Sequence, residues 1–289
     1  MFSKLSNKFL NVLNREGFLG IICRASNLLF SKFRYFSLLF LFPNGVEGSN
    51  LKKWVRVLTR LPLNKRHIEV TLLHSIDTSK KLPISLVEIA FSACRIAITD
   101  TKFNQVLDRI NENDKHINVS IWPGEHYRLL TALVQASNST NIIEIGTFHG
   151  IGTLSLLAGL NDNIGKVTTF DIIPFNEFDE TILLPSDFNN NLSQIIGDLQ
   201  DDTFFETQRA LFESADFIFM DAAKDGHMEK KFLEQFSKCK FKKNVLLVID
   251  DIRLWNMLQI WDEINLPKLD ISGFGHYTGT GLVELPKHH

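Results

Sequence analysis

Acidic residues recur at intervals of about one strand and one helix in the second half of the chain. Glu144 lies within the first apolar run of strand type, and a later run of this type is followed within two residues by each of Asp171, Asp198, Asp221 and the pair Asp250 and Asp251. The carboxyl ends of parallel strands meet at one edge of a sheet, where ligands bind. A single acid in this position is often a helix N-cap. A succession of them indicates an edge that binds a ligand.

A glycine-rich turn follows the first of these apolar runs. It reads Glu144-Ile-Gly146-Thr-Phe148-His-Gly150-Ile-Gly152. Small residues after a buried strand let the backbone approach a ligand closely, and the helix that follows offers free N–H groups. The glycine spacing differs from the G-x-G-x-x-G fingerprint of dinucleotide-binding proteins. The turn therefore indicates a ligand site and makes a nicotinamide-dependent dehydrogenase the weaker alternative.

Strands and helices must alternate to bring these acids together. Apolar, β-branched runs predict strands at residues 141–145, 166–170, 192–196, 217–220 and 245–249. Helical intervals between them predict an α/β domain, in which a mostly parallel sheet is covered on both faces. Two further runs, 269–274 and 280–285, predict a terminal hairpin or crossover pair at the sheet edge. Upstream, helical patterns lie at 51–61, 84–96 and 102–111.

The first 50 residues form a basic, phenylalanine-rich arm. Its longest uncharged apolar run, residues 35–43, is far shorter than the roughly 20 residues that cross a bilayer. The arm is predicted to be an amphipathic segment that packs on protein or lies on an anionic membrane surface, and both readings stay open. Residues 51–116 are predicted as a helical cap region that contacts the substrate. Residues 117–289 are predicted as the catalytic domain.

The composition excludes several classes of protein. With 31 basic and 33 acidic residues the formal net charge is −2, and 44% of the residues are hydrophobic. These values are those of a globular protein, not of a disordered chain or a coiled coil, and they argue against a nucleic-acid partner. Three widely spaced cysteines give neither a disulfide framework nor a thiolate zinc site. A cytoplasmic location is expected, with membrane association through the arm left open.

The glycine-rich turn also resembles a known motif. Glu144-x-Gly146-x-Phe148-x-Gly150 is similar to motif I of class I S-adenosylmethionine-dependent methyltransferases, and the aromatic in place of the middle glycine resembles the catechol and caffeoyl-CoA O-methyltransferase branch. The resemblance extends over residues 117–289. It implies a Rossmann-like, doubly wound sheet of seven mostly parallel strands, with the last strand antiparallel and a helical N-terminal extension before it.

The resemblance implies S-adenosyl-L-methionine as the cofactor. Asp171 matches the acid that holds the ribose hydroxyls, and its two oxygens can accept one hydrogen bond each. Gly197 and Asp198 match the position beside the adenine, and Glu144 would lie under the methionine end. The full set implied for the cofactor is Glu144, Gly146, Thr147, Phe148, Gly150, Asp171, Ile172, Gly197, Asp198 and Asp221.

The resemblance further implies a divalent cation, usually Mg²⁺, held by Asp221, Asp250 and Asp251. Oxygen ligands suit such a hard cation, which would lower the pKa of an acceptor hydroxyl. Asp251 departs from the asparagine of the family's pattern, so metal dependence stays open. Lys224 matches the family's general base and joins Asp221 as a catalytic residue. A dication nearby is expected to lower the pKa of this lysine.

The resemblance implies methyl transfer to a hydroxyl oxygen of a small-molecule or glycan-like acceptor. One alternative is a metal-independent N- or O-methyltransferase with His149, His276 or Lys224 as the base. Another is a cofactor-binding protein without catalysis, held at a membrane or in a complex by the basic arm. Neither the acceptor nor the presence of a homodimer follows from the sequence.

Overall fold

The computed structural model describes residues 83–111, 126–161, 164–274, 276 and 278–288. The arm predicted for residues 1–50 and the helix predicted at 51–61 lie outside the described residues, and only 83–111 of the proposed cap is described. Within these ranges, no helix combines the length and the apolar character needed to cross a bilayer.

The strands of the described chain form one seven-stranded sheet. They are β1 (Asn141–Ile145), β2 (Lys166–Asp171), β3 (Leu192–Ile196), β4 (Phe217–Met220), β5 (Val245–Asp250), β6 (Lys268–Asp270) and β7 (Thr280–Leu285). The spatial order is β3-β2-β1-β4-β5-β7-β6. β1 to β5 pair in parallel, and β7 runs antiparallel to both β5 and β6. The predicted doubly wound, mostly parallel sheet is confirmed.

Helices cover both faces of this sheet. They are α1 (Ile84–Thr99), α2 (Asn104–Asn111), α3 (His126–Ser137), α4 (Ile151–Gly159), α5 (Asp202–Ser214), α6 (Met228–Phe236) and α7 (Met257–Glu263). Successive residues of a strand point to opposite faces. Phe217 and Phe219 therefore pack with α1 to α4, whereas Ile218 and Met220 pack with α5 to α7. Two apolar layers fix the sheet between the two groups of helices.

The described part of the proposed cap region belongs to the first of these layers. Leu86 and Ala90 of α1, and Val106 and Ile110 of α2, are buried in the same apolar cluster as the sheet. Arg109 of α2 also forms an ion pair with Asp187, with a nitrogen–oxygen distance of 2.6 Å. α1 and α2 are thus packed against the domain that carries the ligand edge.

Most strand predictions are confirmed within one residue, and the difference at the chain end has a local cause. β2 and β5 each extend by one residue, to Asp171 and Asp250. The strand predicted at 269–274 is wrong in its second half, because β6 ends at Asp270 and a 3₁₀ turn follows. Asp270 Oδ1 accepts hydrogen bonds from Ser272 N–H at 2.9 Å and from Ser272 Oγ at 2.5 Å. Side-chain bonds of this kind stabilise a turn over a strand.

Candidate active site

The turn between β1 and α4 is held in a strained, left-handed backbone conformation. Gly146, Phe148 and Gly150 have φ angles of 103°, 45° and 85°. A Cβ atom at Gly146 would lie 2.1 Å from the carbonyl oxygen of Asp221, so only glycine fits where the turn meets the end of β4. Non-glycine residues in this region are uncommon and cluster at functional sites. The turn and the end of β4 form one edge of the site.

The Asp171 carboxylate, at the end of β2, fixes this turn from the other side. Its Oδ2 accepts a hydrogen bond from Phe148 N–H at 3.0 Å, and its Oδ1 accepts one from Ile173 N–H at 3.2 Å. Each carboxylate oxygen has a second lone-pair site. Asp171 is half-buried, so these remaining acceptor sites are available to a ligand with paired hydroxyl donors.

Apolar side chains are exposed around Asp171. Phe148, Ile172 and Ile196 expose 56%, 64% and 42% of their surface at the ends of three adjacent strands. Ile196 is paired with Asp171 in the sheet register. An exposed apolar group of this kind, beside a carboxylate, suits a flat, apolar ring attached to a hydroxylated sugar.

Three residues predicted for the cofactor make hydrogen bonds that stabilise the local fold. Thr147 is buried, and its Oγ1 lies 2.7 Å from Thr169 Oγ1 and accepts a hydrogen bond from Gln194 Nε2 at 3.1 Å. Its side chain therefore points into the protein. Gly197 N–H donates to the carbonyl of Asp171 at 3.0 Å. The neighbouring Asp198 is exposed and caps a turn by accepting from Gln200 N–H at 2.8 Å.

Glu144 is fully buried beneath the start of α4. Its Oε2 accepts a hydrogen bond from Thr153 Oγ1 at 2.5 Å, while Oε1 has no hydrogen-bond partner among the described residues. A Cβ atom at Gly152 would lie 2.6 Å from that Oε1. Burial raises the pKa of Glu144 to about 8, because desolvation disfavours the charged form. The side chain thus supports the turn from below.

We expect Glu144→Gln to change how stability depends on pH. The native pKa of about 8 exceeds the ordinary value of 4.5, so the native state binds more protons between these values. The stabilisation that the Glu144 carboxyl contributes is fully present below about pH 4.5 and is lost as the pH rises toward 8. The free energy of unfolding then falls by at most about 1.4 kcal/mol per pH unit. Urea unfolding at pH 5, 6.5 and 8 should show a shallower decline for the variant. Equal declines in both proteins would contradict the buried, protonated state.

The carboxylates predicted for a metal converge with Lys224. Asp221 follows β4, and Asp250 and Asp251 lie at the end of β5. Lys224 Nζ donates to Asp221 Oδ1, and it lies 3.4 Å from Asp251 Oδ2 and 3.9 Å from Asp250 Oδ2. Lys224 and Asp251 also have positive φ angles, 57° and 56°. The structure therefore brings these predicted residues into one cluster, here called the acidic cluster.

The charges of the acidic cluster shift the pKa values within it. Burial alone would lower the pKa of Lys224, but Asp221, Asp251 and Asp250 outweigh burial and raise it above its usual value. This direction is the opposite of the one expected beside a dication. Burial, together with Asp251 and Asp221, raises the pKa of Asp250 well above its usual value. Burial and the Asp221 charge likewise raise the pKa of Tyr127.

Glu229 is a site residue that the sequence analysis missed. It is buried in the first turn of α6. Its Oε1 accepts a hydrogen bond from Lys224 N–H at 2.6 Å, and its Oε2 accepts one from Gly226 N–H at 3.0 Å. Both oxygens therefore hold the loop that carries Lys224. An acid in the first turn after a glycine-containing loop is a capping signal that could have identified it.

Glu229→Gln is expected to loosen this loop. The amide keeps one acceptor oxygen and places an NH₂ donor against a backbone N–H, so a buried donor loses its partner at a cost of about 1–3 kcal/mol. We expect a lower free energy of unfolding by urea denaturation. The matched control is Glu234→Gln on the same helix, because the Glu234 side chain is exposed. Equal stability of both variants would contradict the positioning role.

Two further residues missed from the sequence are His126 and Tyr127 at the start of α3. His126 Nε2 lies 3.6 Å from Asp250 Oδ1, and the imidazole of His126 stacks on that of His276 with ring centroids 4.1 Å apart. Burial lowers the pKa of both histidines. No spacing in the sequence links α3 to the end of β5, because this contact depends on how the helix lies across the sheet. His149, by contrast, stacks on Phe148 in the first turn.

The donor set of the acidic cluster fits a hard divalent cation. Its three carboxylates are oxygen donors, and they lie close enough for one ammonium group to approach all of them. Such oxygens are the ligands that Mg²⁺ and Ca²⁺ prefer. Lys224 occupies the position between the carboxylates, so a cation and this ammonium group compete for the same charges.

Residues 143–252 match the family model described as a methyltransferase domain. Over these residues, the match confirms the resemblance to a methyltransferase domain, and it includes the turn, Asp171 and the acidic cluster. No curated protein sequence matches the chain.

Solved structures are similar to this chain at low sequence identity. An O-methyltransferase from Bacillus cereus in complex with SAH is 18% identical, with a TM-score of 0.47, and the match covers 70% of this chain and 100% of that one. A putative caffeoyl-CoA O-methyltransferase from Staphylococcus aureus is 17% identical, with a TM-score of 0.45, covering 69% and 99%. The O-methyltransferase TomG from Streptomyces achromogenes, in complex with SAM, is 17% identical, with a TM-score of 0.44, covering 70% and 96%. Similarity at this level does not establish a shared substrate.

Proposed function

We propose that this chain, whose residues 143–252 match the family model of a methyltransferase domain, transfers a methyl group from S-adenosylmethionine to a hydroxyl oxygen of a small-molecule or glycan-like acceptor. The observation that carries this proposal is the convergence of Lys224 with Asp221, Asp250 and Asp251 at the strand ends. A cluster of this kind can take the proton that a hydroxyl loses when its oxygen is methylated.

The proposal places the cofactor along the ends of β1, β2 and β3. The remaining lone pairs of Asp171 would accept the ribose hydroxyls, and Ile172 and Ile196 would contact the adenine. Gly146 and Phe148 would contribute backbone beside the methionine end, over the buried Glu144. When bound, the cofactor supplies a methyl group on a sulfonium, from which the acceptor oxygen takes the carbon as the carbon–sulfur bond breaks.

Lys224 is proposed as the general base, with Asp221 as its partner. The three carboxylates raise the pKa of Lys224, so the lysine is an ammonium before the acceptor reacts and must first lose a proton. Asp250, which Lys224 approaches and whose pKa burial raises, is the carboxylate that can take this proton. The neutral amine then accepts the proton of the acceptor hydroxyl. The net result is one proton gained by the cluster for each methyl group transferred.

A divalent cation is the second part of the proposal. Asp221, Asp250 and Asp251 would hold it, and the bound cation would lower the pKa of an acceptor hydroxyl. The position of Lys224 among the three carboxylates favours a second candidate function as well. Because the ammonium already neutralises part of the cluster's charge, the chain could methylate an oxygen or nitrogen without a metal.

Calorimetry with S-adenosylhomocysteine, with and without Mg²⁺, tests both candidates. We expect cofactor-product binding under both conditions. A panel of catechol and sugar hydroxyl acceptors then separates the candidates by turnover in Mg²⁺ and in EDTA. Turnover only with Mg²⁺ supports the cation, and equal turnover in EDTA supports the metal-independent function. Absence of S-adenosylhomocysteine binding would overturn the proposed function.

A further inference from the structure

We propose that His126, Asp250 and His276 form a site for a transition-metal dication of the Zn²⁺ or Co²⁺ type. One ligand atom from each residue lies within 4.8 Å of the others. The site shares only Asp250 with the acidic cluster, and it uses the other oxygen of that carboxylate. It therefore goes beyond the proposed methyl transfer and does not depend on it.

The three side chains come from separate elements and are all buried. His126 is the first residue of α3, Asp250 is the last residue of β5, and His276 lies in the segment between β6 and β7. Each exposes less than a tenth of its surface. Polar groups of this kind are costly to bury without partners, so their convergence at one point requires an explanation.

Hydrogen bonding within the described residues leaves part of this group unsatisfied. Neither ring nitrogen of His126 and neither lone pair of Asp250 Oδ1 has a hydrogen-bond partner there. Asp250 Oδ1 lies 3.2 Å from His276 Nδ1 and 3.6 Å from His126 Nε2. One proton can join the carboxylate to only one of the two imidazoles. A dication can accept a lone pair from all three groups at once.

Asp250 presents its two oxygens to two different environments. Its Oδ2 lies on the side of Lys224, at 3.9 Å from Nζ, whereas its Oδ1 lies on the side of the two histidines. The Lys224 ammonium, which competes with a cation for the carboxylates of the acidic cluster, therefore approaches the opposite oxygen of Asp250. This separation allows the histidine side to bind a metal while Lys224 keeps its contacts.

Threonine hydroxyls orient one of the imidazoles. His276 Nε2 lies 3.0 Å from Thr278 Oγ1, and His276 Nδ1 lies 3.2 Å from Thr280 Oγ1. With Nδ1 as the metal ligand, the Nε2–H group can donate to Thr278. Outer hydrogen bonds of this kind fix the tautomer and the ring of a metal-binding histidine. The His126 and His276 rings lie within 25° of parallel, so both must tilt toward a shared cation.

The donor types select the class of metal. Two imidazole nitrogens and one carboxylate oxygen suit Zn²⁺, Co²⁺, Ni²⁺ or Fe²⁺, whereas Mg²⁺ and Ca²⁺ prefer oxygen ligands alone. Three protein ligands also leave at least one position of a four-coordinate metal open.

The test is a titration of the chelator-treated full-length chain with Co²⁺, followed by visible absorption. We expect d–d bands that saturate at one Co²⁺ per chain, decrease when Zn²⁺ is added and persist in a large excess of Mg²⁺. His126→Gln and His276→Gln should each abolish the bands. His227→Gln is the matched control, because His227 is exposed at the start of α6 and should leave them unchanged.

A conservative variant guards against loss of the fold. Thr278→Val keeps the side-chain shape and removes the hydroxyl that accepts from His276 Nε2–H, so we expect about 10- to 100-fold weaker Co²⁺ binding with an unchanged circular dichroism spectrum. Absence of d–d bands in the wild-type chain, or bands that survive in both histidine variants, would overturn the site.

S-adenosylhomocysteine calorimetry on the same sample keeps the two proposals apart. Binding of that product without Co²⁺ bands overturns only the metal site, and bands without product binding overturn only the methyltransferase function.

Discussion

Asp171→Ala is expected to weaken S-adenosylhomocysteine binding by roughly 30- to 700-fold. Under the proposed function the carboxylate accepts two hydrogen bonds from a ribose diol, and hydrogen bonds to a charged acceptor are the stronger kind. Their loss amounts to about 2–4 kcal/mol after exchange with water. The same change removes the acceptors of Phe148 N–H and Ile173 N–H, so the turn after β1 also loses support. Calorimetry gives the ratio of dissociation constants directly.

Two further variants separate recognition from support of the turn. Asp171→Asn keeps one carbonyl oxygen and the side-chain shape, and its NH₂ group faces one backbone N–H group. Both N–H groups are exposed, so water can replace the lost acceptor. We therefore expect an intermediate loss of affinity with a smaller change in unfolding than in Asp171→Ala. Asp179→Ala is the matched control, because Asp179 is an exposed acid in the segment after β2. Unchanged affinity in Asp171→Ala would contradict the assignment of Asp171 to the cofactor.

The fold was predictable where the sequence repeats a local pattern. β4 and β5 are buried over their whole length, so their apolar runs are continuous, and Asp221 and Asp250 mark the ends of these runs. The failure after Asp270 came from a side-chain hydrogen bond to Ser272, which apolar patterning does not register. The order of β6 and β7 was also left open, because a hairpin and a crossover pair have the same sequence pattern.

The site was predictable only where it coincides with strand ends. Asp221, Asp250 and Asp251 follow neighbouring parallel strands, and this arrangement alone brings them together. His126 reaches Asp250 from α3, which depends on the packing of a helix across the sheet face. The direction of the Lys224 pKa shift could not be predicted either. Three carboxylates raise this pKa, whereas a nearby dication would lower it.

Lys224→Met is expected to lower kcat by about 10²- to 10⁴-fold with a catechol-type acceptor, the range that a positioned general base contributes. Affinity for S-adenosylhomocysteine should stay within about threefold, because Lys224 lies at the acidic cluster and not beside Asp171. The methionine side chain has nearly the length of lysine, and the backbone N–H that Glu229 holds is retained. Single-turnover kinetics measure the chemical step separately from product release.

The same variant also tests the competition between Lys224 and a cation. Removing the ammonium leaves Asp221, Asp250 and Asp251 without the positive charge that approaches all three. Their mutual repulsion then favours a bound dication, so we expect Lys224→Met to bind Mn²⁺ more tightly than the wild type by electron paramagnetic resonance. Lys230→Met, an exposed change on α6, should alter neither kcat nor Mn²⁺ affinity.

If kcat falls while Mn²⁺ affinity stays constant, Lys224 acts on the proton alone and the cation does not share its position. If kcat is unchanged, another group accepts the proton. The next candidate is the pair of Asp250 and His276, in which Oδ1 and Nδ1 lie 3.2 Å apart.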